Sequence, residues 1–254
     1  MTGRAKYFRT DSVLALQCLT FAGLLVVWEL LASSGWFYRS AIPHTLHVLQ
    51  ALVQVVTHDA FWFHFSVSTM EIFLSMALGG AAAVVAGIVL GSNDFIGRAL
   101  EPYVNGLAST PKVILFPIFL VAFGIGPAAK VAVGSVACFF PVLLSVIAGT
   151  RQINGVYLRV GKSFNLSTLQ MARLIYLPAL VEPILSGLRI ALGVAIIVCL
   201  LAEIKISNKG LGYMVAESYK RSRFSEMYAM LLIIFVIAIV GNAVIDRLAR
   251  RQQG

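Results

Sequence analysis

Long apolar runs constrain this sequence of 254 residues more than any other feature. One of them, residues 72–91, contains no charged side chain. A helix of about 20 residues crosses the hydrocarbon core of a bilayer, where lipid cannot satisfy an unpaired backbone N–H or C=O group. The runs are too long for barrel strands and do not alternate. With 59% hydrophobic and 12% charged residues, the chain is predicted to be an all-α, polytopic membrane protein.

About six spans are predicted, within a single domain over residues 1–254. They cover residues 13–32, 67–91, 113–126, 131–149, 184–204 and 227–245. The third and fourth spans are divided at Gly126 and Pro127. The basic segment before the first span would suit a signal peptide, but the apolar run is long and lacks a small-x-small cleavage site. We therefore expect an uncleaved first helix.

The distribution of Lys and Arg indicates the orientation, because these residues favour the cytoplasmic side of a membrane. With the amino terminus in the cytoplasm, the inner segments are the more basic, and an even number of spans places both basic termini there. The net charge of +9 then reflects membrane orientation, and no nucleic-acid partner is predicted. The exception is an outer basic loop before the last span, with Lys205, Lys209, Lys220, Arg221 and Arg223.

The sequence suggests no metal site and no catalytic set of residues. Cys18, Cys138 and Cys199 all fall within spans, and their spacing fits neither a metal site nor a disulfide framework. The stretch GVYLRVGKS (155–163) resembles a phosphate loop, but five residues separate its glycines where that motif needs four, and no strand precedes it. We therefore predict a chain that is not an enzyme and holds no cofactor itself.

A polar segment, SFNLSTLQMARLIYLPAL, interrupts the apolar runs and carries two helix-end signals. Ser167 and Gln170 have the spacing of a capping box. Asn165 follows a short helical stretch at the position where a left-handed residue ends a helix, and Asn tolerates that conformation. Pro178 is expected to stop the second helix. The segment predicts a helical hairpin, too short and too polar to span a membrane; the alternative is an ordinary cytoplasmic loop.

The hairpin resembles the cytoplasmic loop of the membrane subunits of bacterial ABC importers of the binding-protein-dependent class. That family's motif reads Glu-Ala-Ala, three residues, Gly, nine residues, then Ile-x-Leu-Pro. Here Asn165 stands at the Gly position, and Ile-Tyr-Leu177-Pro178 follows in register. The three leading positions are Arg159, Val160 and Gly161. The leading charge is thus reversed, whereas Asn for Gly preserves the backbone shape.

Neighbouring stretches resemble the nitrate, sulfonate and taurine branch of this family. They are PKVILFPIFLVAFGIGPAAK, FFPVLLSVIAGTR and LSGLRIALGVAIIVCLLAE. The resemblance implies a type I importer permease in the bacterial inner membrane, as a homodimer in contact with lipid. It also implies two ATPase subunits that carry ATP and Mg, an external solute-binding protein, and a coupling loop over residues 150–180. The coupling residues would be Arg159, Val160, Gly161, Asn165, Ser167, Gln170, Leu177 and Pro178.

Charged and kinking residues near the spans are candidates for a translocation pathway, because charge inside a membrane is costly and marks function. They are Pro111, Lys112, Arg189 and Glu203. Snorkelling toward the cytoplasm is an equal alternative for Lys112, Arg189 is expected to pair or snorkel, and Glu203 is expected to reach the membrane interface. Gly79, Ala83, Gly87 and Gly91 recur every four residues, which predicts close helix packing.

The outer basic loop and the family branch together predict a small anionic solute, such as a sulfonate. The alternative for the loop is a solvated segment or one that touches lipid head groups. A different class of protein, a secondary transporter that needs no ATPase, would show paired broken helices in two inverted halves. The sequence contains no such internal repeat.

Overall fold

The computed structural model describes residues 10–38 and 41–250, in which every regular element is a helix. In chain order the α-helices are α1 (Thr10–Ser33), α2 (Thr45–Thr57), α3 (Asp59–Ser92), α4 (Asp94–Ser109), α5 (Phe116–Phe123), α6 (Pro127–Gln152), α7 (Gly155–Ser163), α8 (Thr168–Met171), α9 (Leu177–Ala179), α10 (Val181–Ile206), α11 (Leu211–Lys220) and α12 (Phe224–Arg250). A 3-10 turn, Lys112–Leu115, precedes α5, and a π-helical turn, Ala172–Tyr176, joins α8 to α9. The predicted all-α fold is confirmed.

Five helices, α1, α3, α6, α10 and α12, are long and apolar enough to cross a membrane. The sixth crossing is broken: α4 and the segment Lys112–Phe123 meet at an angle of 84°. The prediction of one continuous helix over 113–126 was wrong, because Lys112–Phe123 is about 20 Å long and cannot cross about 30 Å of hydrocarbon alone. The crossing is completed by α4. By sequence alone, that stretch is assigned to an inner segment because it contains Arg98, Glu101 and Pro102.

The directions of α3 and α6 show that the broken segment must cross. Gly79 of α3 lies against Ser135 of α6, and Gly91 lies against Thr150, so the two helices run in the same direction. The chain between them therefore returns from one end of the bundle to the other. With α4 and α5 counted as that return, the bundle has the predicted number of about six crossings.

The small-residue stripe of α3 packs closely against α6. Gly79, Ala83, Gly87 and Gly91 are all buried. A Cβ on Gly79 would lie 2.2 Å from the backbone oxygen of Ser135, so only glycine allows the two backbones to approach this closely. The predicted role of the stripe in packing is confirmed.

The bundle has two chemically distinct ends. At one end, which we call the hairpin end, α7 to α9 connect α6 to α10. At the other end, which we call the α11 end, α10 leads into α11, and α2 packs against α12. The apolar side chains of α1 are largely exposed, as they would be beside lipid, and Trp28 ties this helix to the bundle through a 3.0 Å hydrogen bond to the oxygen of Pro43.

Candidate functional site

The first half of the hairpin ends in the left-handed turn that the sequence predicts. Asn165 has φ +50°, within the left-handed region. The N–H of Leu166 donates to the oxygen of Gly161 at 3.1 Å, and that of Asn165 donates to the oxygen of Lys162 at 2.9 Å. These two bonds form a complete Schellman motif, which satisfies the last carbonyl groups of α7.

The second half begins with the predicted capping box. The N–H of Ser167 donates to Oε1 of Gln170 at 2.8 Å, and the N–H of Gln170 donates to Oγ of Ser167 at 3.4 Å. Both helix ends that face the turn are therefore held by specific bonds.

Pro178 does not end the second helix, so that prediction was wrong. Helical structure continues through α9 to Ala179, and the break comes at Leu180 (φ −99°, ψ 2°). The π-helical turn over Ala172–Tyr176 explains the difference. It has already shifted the backbone hydrogen-bond pattern away from the α-helical one before Pro178, which has no N–H to donate.

Gly161 allows the two halves of the hairpin to close on each other. It is buried, and a Cβ there would lie 2.4 Å from Sδ of Met171 and 2.6 Å from Cδ1 of Ile175. The outer surface of the hairpin, in contrast, exposes large apolar side chains: Tyr157, Val160, Phe164, Leu169, Leu174 and Leu177. An apolar surface among exposed polar groups such as Arg159 is typical of a protein-binding site.

Lys112 lies at the bend of the broken crossing, near the middle of the bundle. Its ammonium group lies 4.7 Å from the centre of the Phe140 ring and donates a hydrogen bond to the oxygen of Ala108. Phe140 is at the midpoint of α6, about 20 Å from either end at 1.5 Å per residue. In this conformation the ammonium group therefore lies at mid-length of α6, and both the pathway role of Lys112 and the snorkelling alternative stay predictions. Pro111 precedes Lys112 as the N-cap of the 3-10 turn.

Arg189 forms an ion pair with Asp246 of α12, which agrees with the expectation that it pairs. Glu203 is placed differently from the expectation. It is fully buried, so the prediction that it reaches the membrane interface was wrong. Its partners come from α3 and α11, and apolar runs in the sequence gave no indication of them. The roles of both residues in a pathway stay predictions.

Glu203 belongs to a buried polar cluster at the α11 end, which also contains Ser68, Glu71 and Lys130. Glu203 Oε1 accepts a 2.6 Å hydrogen bond from Ser68, and Nζ of Lys130 lies 2.5 Å from Oε1 of Glu71. The side chains of Lys130 and Glu71 are only 5% and 2% exposed. Sequence reasoning missed this cluster; the signal was the spacing of Ser68, Glu71 and Ser75 on one face of a span.

The outer basic loop is mostly helical, which the sequence did not predict. Arg221 is ion-paired with Glu217 at 2.7 Å, and Arg223 with Glu226 at 3.4 Å. The remaining cations, Lys205, Lys209 and Lys220, have no acidic partner among the described residues. Lys205 and Lys209 precede α11, whereas the two arginines follow it. Since α11 is about 15 Å long, the positive charge forms two patches rather than one.

Comparison with known proteins identifies the family to which this arrangement belongs. Residues 82–253 match the model of the binding-protein-dependent transport system inner membrane component. The chain belongs to that family. It is a membrane-spanning permease subunit of the ABC importer class.

Individual relatives agree with this membership. A probable ABC transporter permease protein of Haemophilus influenzae is 31% identical over 229 residues, which cover 90% of this chain and 92% of that protein. The taurine transport system permease protein TauC of Escherichia coli is 28% identical over 237 residues, 91% of this chain and 86% of that one. Permeases named for aliphatic sulfonates and for nitrate also match, which places the permease in the predicted branch.

The fold is likewise found in solved importers. A chain from the inward-facing MetNI methionine ABC transporter superposes with a TM-score of 0.61 and 19% identity, over 81% of the permease and 97% of that chain. This likeness confirms the type I importer fold. Because the family match shows an ABC importer permease, the secondary-transporter alternative is excluded.

Proposed function

We propose that the permease works in the cytoplasmic membrane as a homodimer with two copies of an ABC ATPase and imports a small anionic solute, such as a sulfonate, delivered by a solute-binding protein. The hairpin end faces the cytoplasm and the α11 end faces outward, with both termini in the cytoplasm. ATP and Mg are bound by the ATPase subunits.

The hairpin supports the ATPase partnership. Its Schellman motif and capping box fix its shape. Its outer surface exposes apolar side chains, which a partner protein would bury. ATP-driven movement of the ATPase would pass through this rigid element to α6 and α10, the two helices that it connects. Arg159 is exposed on it, and we propose that an acidic residue of the ATPase faces Arg159.

The charges at the α11 end support an anionic solute or an acidic binding protein there. Lys205, Lys209 and Lys220 are exposed, and charges attract oppositely charged partners within about 10 Å at 0.1 M salt. Since Arg221 and Arg223 are already paired, the three lysines are expected to contribute most of the attraction.

The observation that carries the substrate class is the position of Lys112. An ammonium group held halfway between the two ends, at the break of a crossing, is an expensive feature that a passing anion would offset. Half-helices that meet near the midplane are also the usual place for a substrate site in transporters.

Uptake into proteoliposomes tests this role. With the binding protein and ATPase present, labelled taurine and ethanesulfonate uptake is compared for the wild type, Lys112→Gln and Lys112→Arg. We expect Lys112→Gln to reduce uptake at least tenfold, because a bond to a charged group contributes about 1.5–3 kcal/mol. Lys112→Arg should retain more transport than Lys112→Gln.

Arg247→Gln is the matched control, since Arg247 is an exposed cation at the hairpin end of α12. Its uptake should equal that of the wild type. If Lys112→Gln transports as well as Lys112→Arg, the pathway role of Lys112 is wrong. If only solutes that lack an anionic group are transported, the substrate class is wrong, although the importer assignment stands.

A further inference from the structure

The amino terminus of α11 is held by side chains from two membrane-crossing helices. Three successive backbone N–H groups donate to them: Gly210 to Nδ1 of His64 at 3.0 Å, Leu211 to Oγ of Ser68 at 2.7 Å, and Gly212 to Oε2 of Glu203 at 2.6 Å. The first N–H groups of a helix have no partner within the helix. Here α3 and α10 supply all three acceptors, so the start of α11 is fixed to the bundle.

The two glycines are required by this arrangement. Gly210 has φ +104°, and a Cβ there would lie 2.3 Å from Cδ of Glu203. A Cβ on Gly212 would lie 2.5 Å from the backbone oxygen of Leu200. The backbone therefore approaches the carboxylate as closely as it can, and the site is built to place a carboxylate against the positive end of a helix.

The anchor continues into α6 through a second pair of charges. Glu71, one turn from Ser68 on α3, is ion-paired with Lys130 in the first turns of α6. Nζ of Lys130 also donates to Oγ of Ser207 at 3.2 Å, and Ser207 bonds the backbone of Lys209 in the turn before α11. The cluster thus joins α3, α6, α10 and the entry to α11.

Removing one partner of a buried ion pair leaves an uncompensated charge, so the pair between Glu71 and Lys130 favours this one arrangement of α3 and α6. The far end of α11 carries the exposed Lys220, on the face of the permease that we propose for the binding protein. The same α6 that holds Lys130 carries Phe140 against Lys112 at the break of the pathway. The cluster therefore connects α11 to α6, the helix that carries Phe140 beside Lys112.

We infer that Ser68 and Glu203, with Glu71 and Lys130, are positioning residues that hold α11 as the docking element for the solute-binding protein and couple docking to α6. This inference rests on the proposed function. It requires that loosening the anchor weakens the response to the binding protein without removing any residue from the docking surface itself.

The test compares Ser68→Ala with Ser66→Ala in the full complex in nanodiscs. Ser66 is on the same helix, exposed, and bonded only to the backbone of its own helix at Phe63, so it is the matched control. ATPase activity is titrated with binding protein loaded with taurine or ethanesulfonate. In Ser68→Ala, the binding-protein concentration for half-maximal stimulation should rise at least about fivefold, because Ser68 makes two hydrogen bonds, to Glu203 and from Leu211, and each typically contributes about 1 kcal/mol. Ser66→Ala should titrate as the wild type does.

Hydrogen exchange provides a second readout that does not need the binding protein. The amides of Leu211 and Gly212 should exchange faster in Ser68→Ala than in Ser66→Ala, because their acceptor network is broken. Glu203→Gln should also speed exchange at Gly212, because Gln has one amide oxygen in place of the two carboxylate oxygens that accept from Ser68 and Gly212, and a neutral oxygen accepts more weakly than a charged one. Glu203→Gln is the variant to use if Ser68→Ala does not assemble.

The outcomes separate the two proposals. A wild-type complex that no loaded binding protein stimulates overturns the proposed function, and with it the coupling. A wild type that is stimulated, with Ser68→Ala and Glu203→Gln titrating identically to it, overturns the coupling alone. Unchanged exchange at Leu211 and Gly212 in both variants overturns the anchor.

Discussion

Replacing Asn165 by valine tests whether the shape of the hairpin matters for coupling to the ATPase. Asn165 has φ +50° and lies in the Schellman motif between α7 and α8. A left-handed conformation costs an ordinary L-residue about 1–2 kcal/mol, and Asn is among the few that visit it routinely. Valine, which is β-branched, adopts the left-handed conformation only rarely.

The expected size follows from that cost. Since 1.4 kcal/mol corresponds to a factor of ten, Asn165→Val should reduce the ratio of closed to open hairpin by about 5- to 30-fold. If the ATPase binds only the closed hairpin, its dissociation constant should rise by up to the same factor, because the apparent affinity scales with the closed fraction. Asn165→Gly, which restores the residue usual in the family, should bind the ATPase at least as tightly as the wild type, because glycine adopts this conformation freely.

The assay is equilibrium binding of the purified ATPase subunit to the permease in nanodiscs, followed by ATPase measurements on the assembled complex. Ser222→Val is the matched control: Ser222 has φ +56° but lies between α11 and α12, away from the hairpin. It should leave ATPase affinity unchanged. Wild-type affinity in Asn165→Val, or an equal loss in Ser222→Val, would refute the reasoning.

Three further predictions concern packing and charge. Gly79→Val should destabilise the permease by about 1–3 kcal/mol in thermal unfolding, because the added atoms meet the backbone of Ser135. The control is Gly193→Val, where no atom lies within 4 Å of the added Cβ. Equal melting temperatures for the two variants would contradict the packing argument. Glu71→Leu should cost about 3–5 kcal/mol because it leaves Lys130 buried without its partner, and Glu71→Leu with Lys130→Leu should recover most of that; a double variant no more stable than the single one counts against the ion-pair explanation. Arg159→Glu should weaken ATPase association, and an acid-to-Lys change on the facing ATPase surface should restore it; purely additive effects in that double-mutant cycle would argue against direct contact.

The sequence determined those features whose causes are local. Long apolar runs give membrane helices because the backbone has no other way to satisfy its polar groups in lipid. The end of α7 and the start of α8 follow from Asn165, Ser167 and Gln170, since a cap depends on residues within one turn. The glycine stripe of α3 likewise follows from a period of four residues.

The broken crossing was decided by tertiary structure. The helix α4 is amphipathic and contains charged residues, so by itself it reads as a surface helix. Only the parallel course of α3 and α6 requires the chain to return between them, and the return then places Lys112 beside Phe140. The sequence left the position of this charge open, and the packing of α6 places it beside the middle of that helix.

The buried cluster at the α11 end was equally a matter of tertiary structure. Ser68 and Glu203 are 135 residues apart in the sequence, and each alone looks like a polar residue near the end of a span. A buried carboxylate is stable only where donors converge on it, and those donors come from α3 and from the backbone of α11. Composition and periodicity describe what one helix needs from its surroundings, whereas such a convergence depends on how several helices pack.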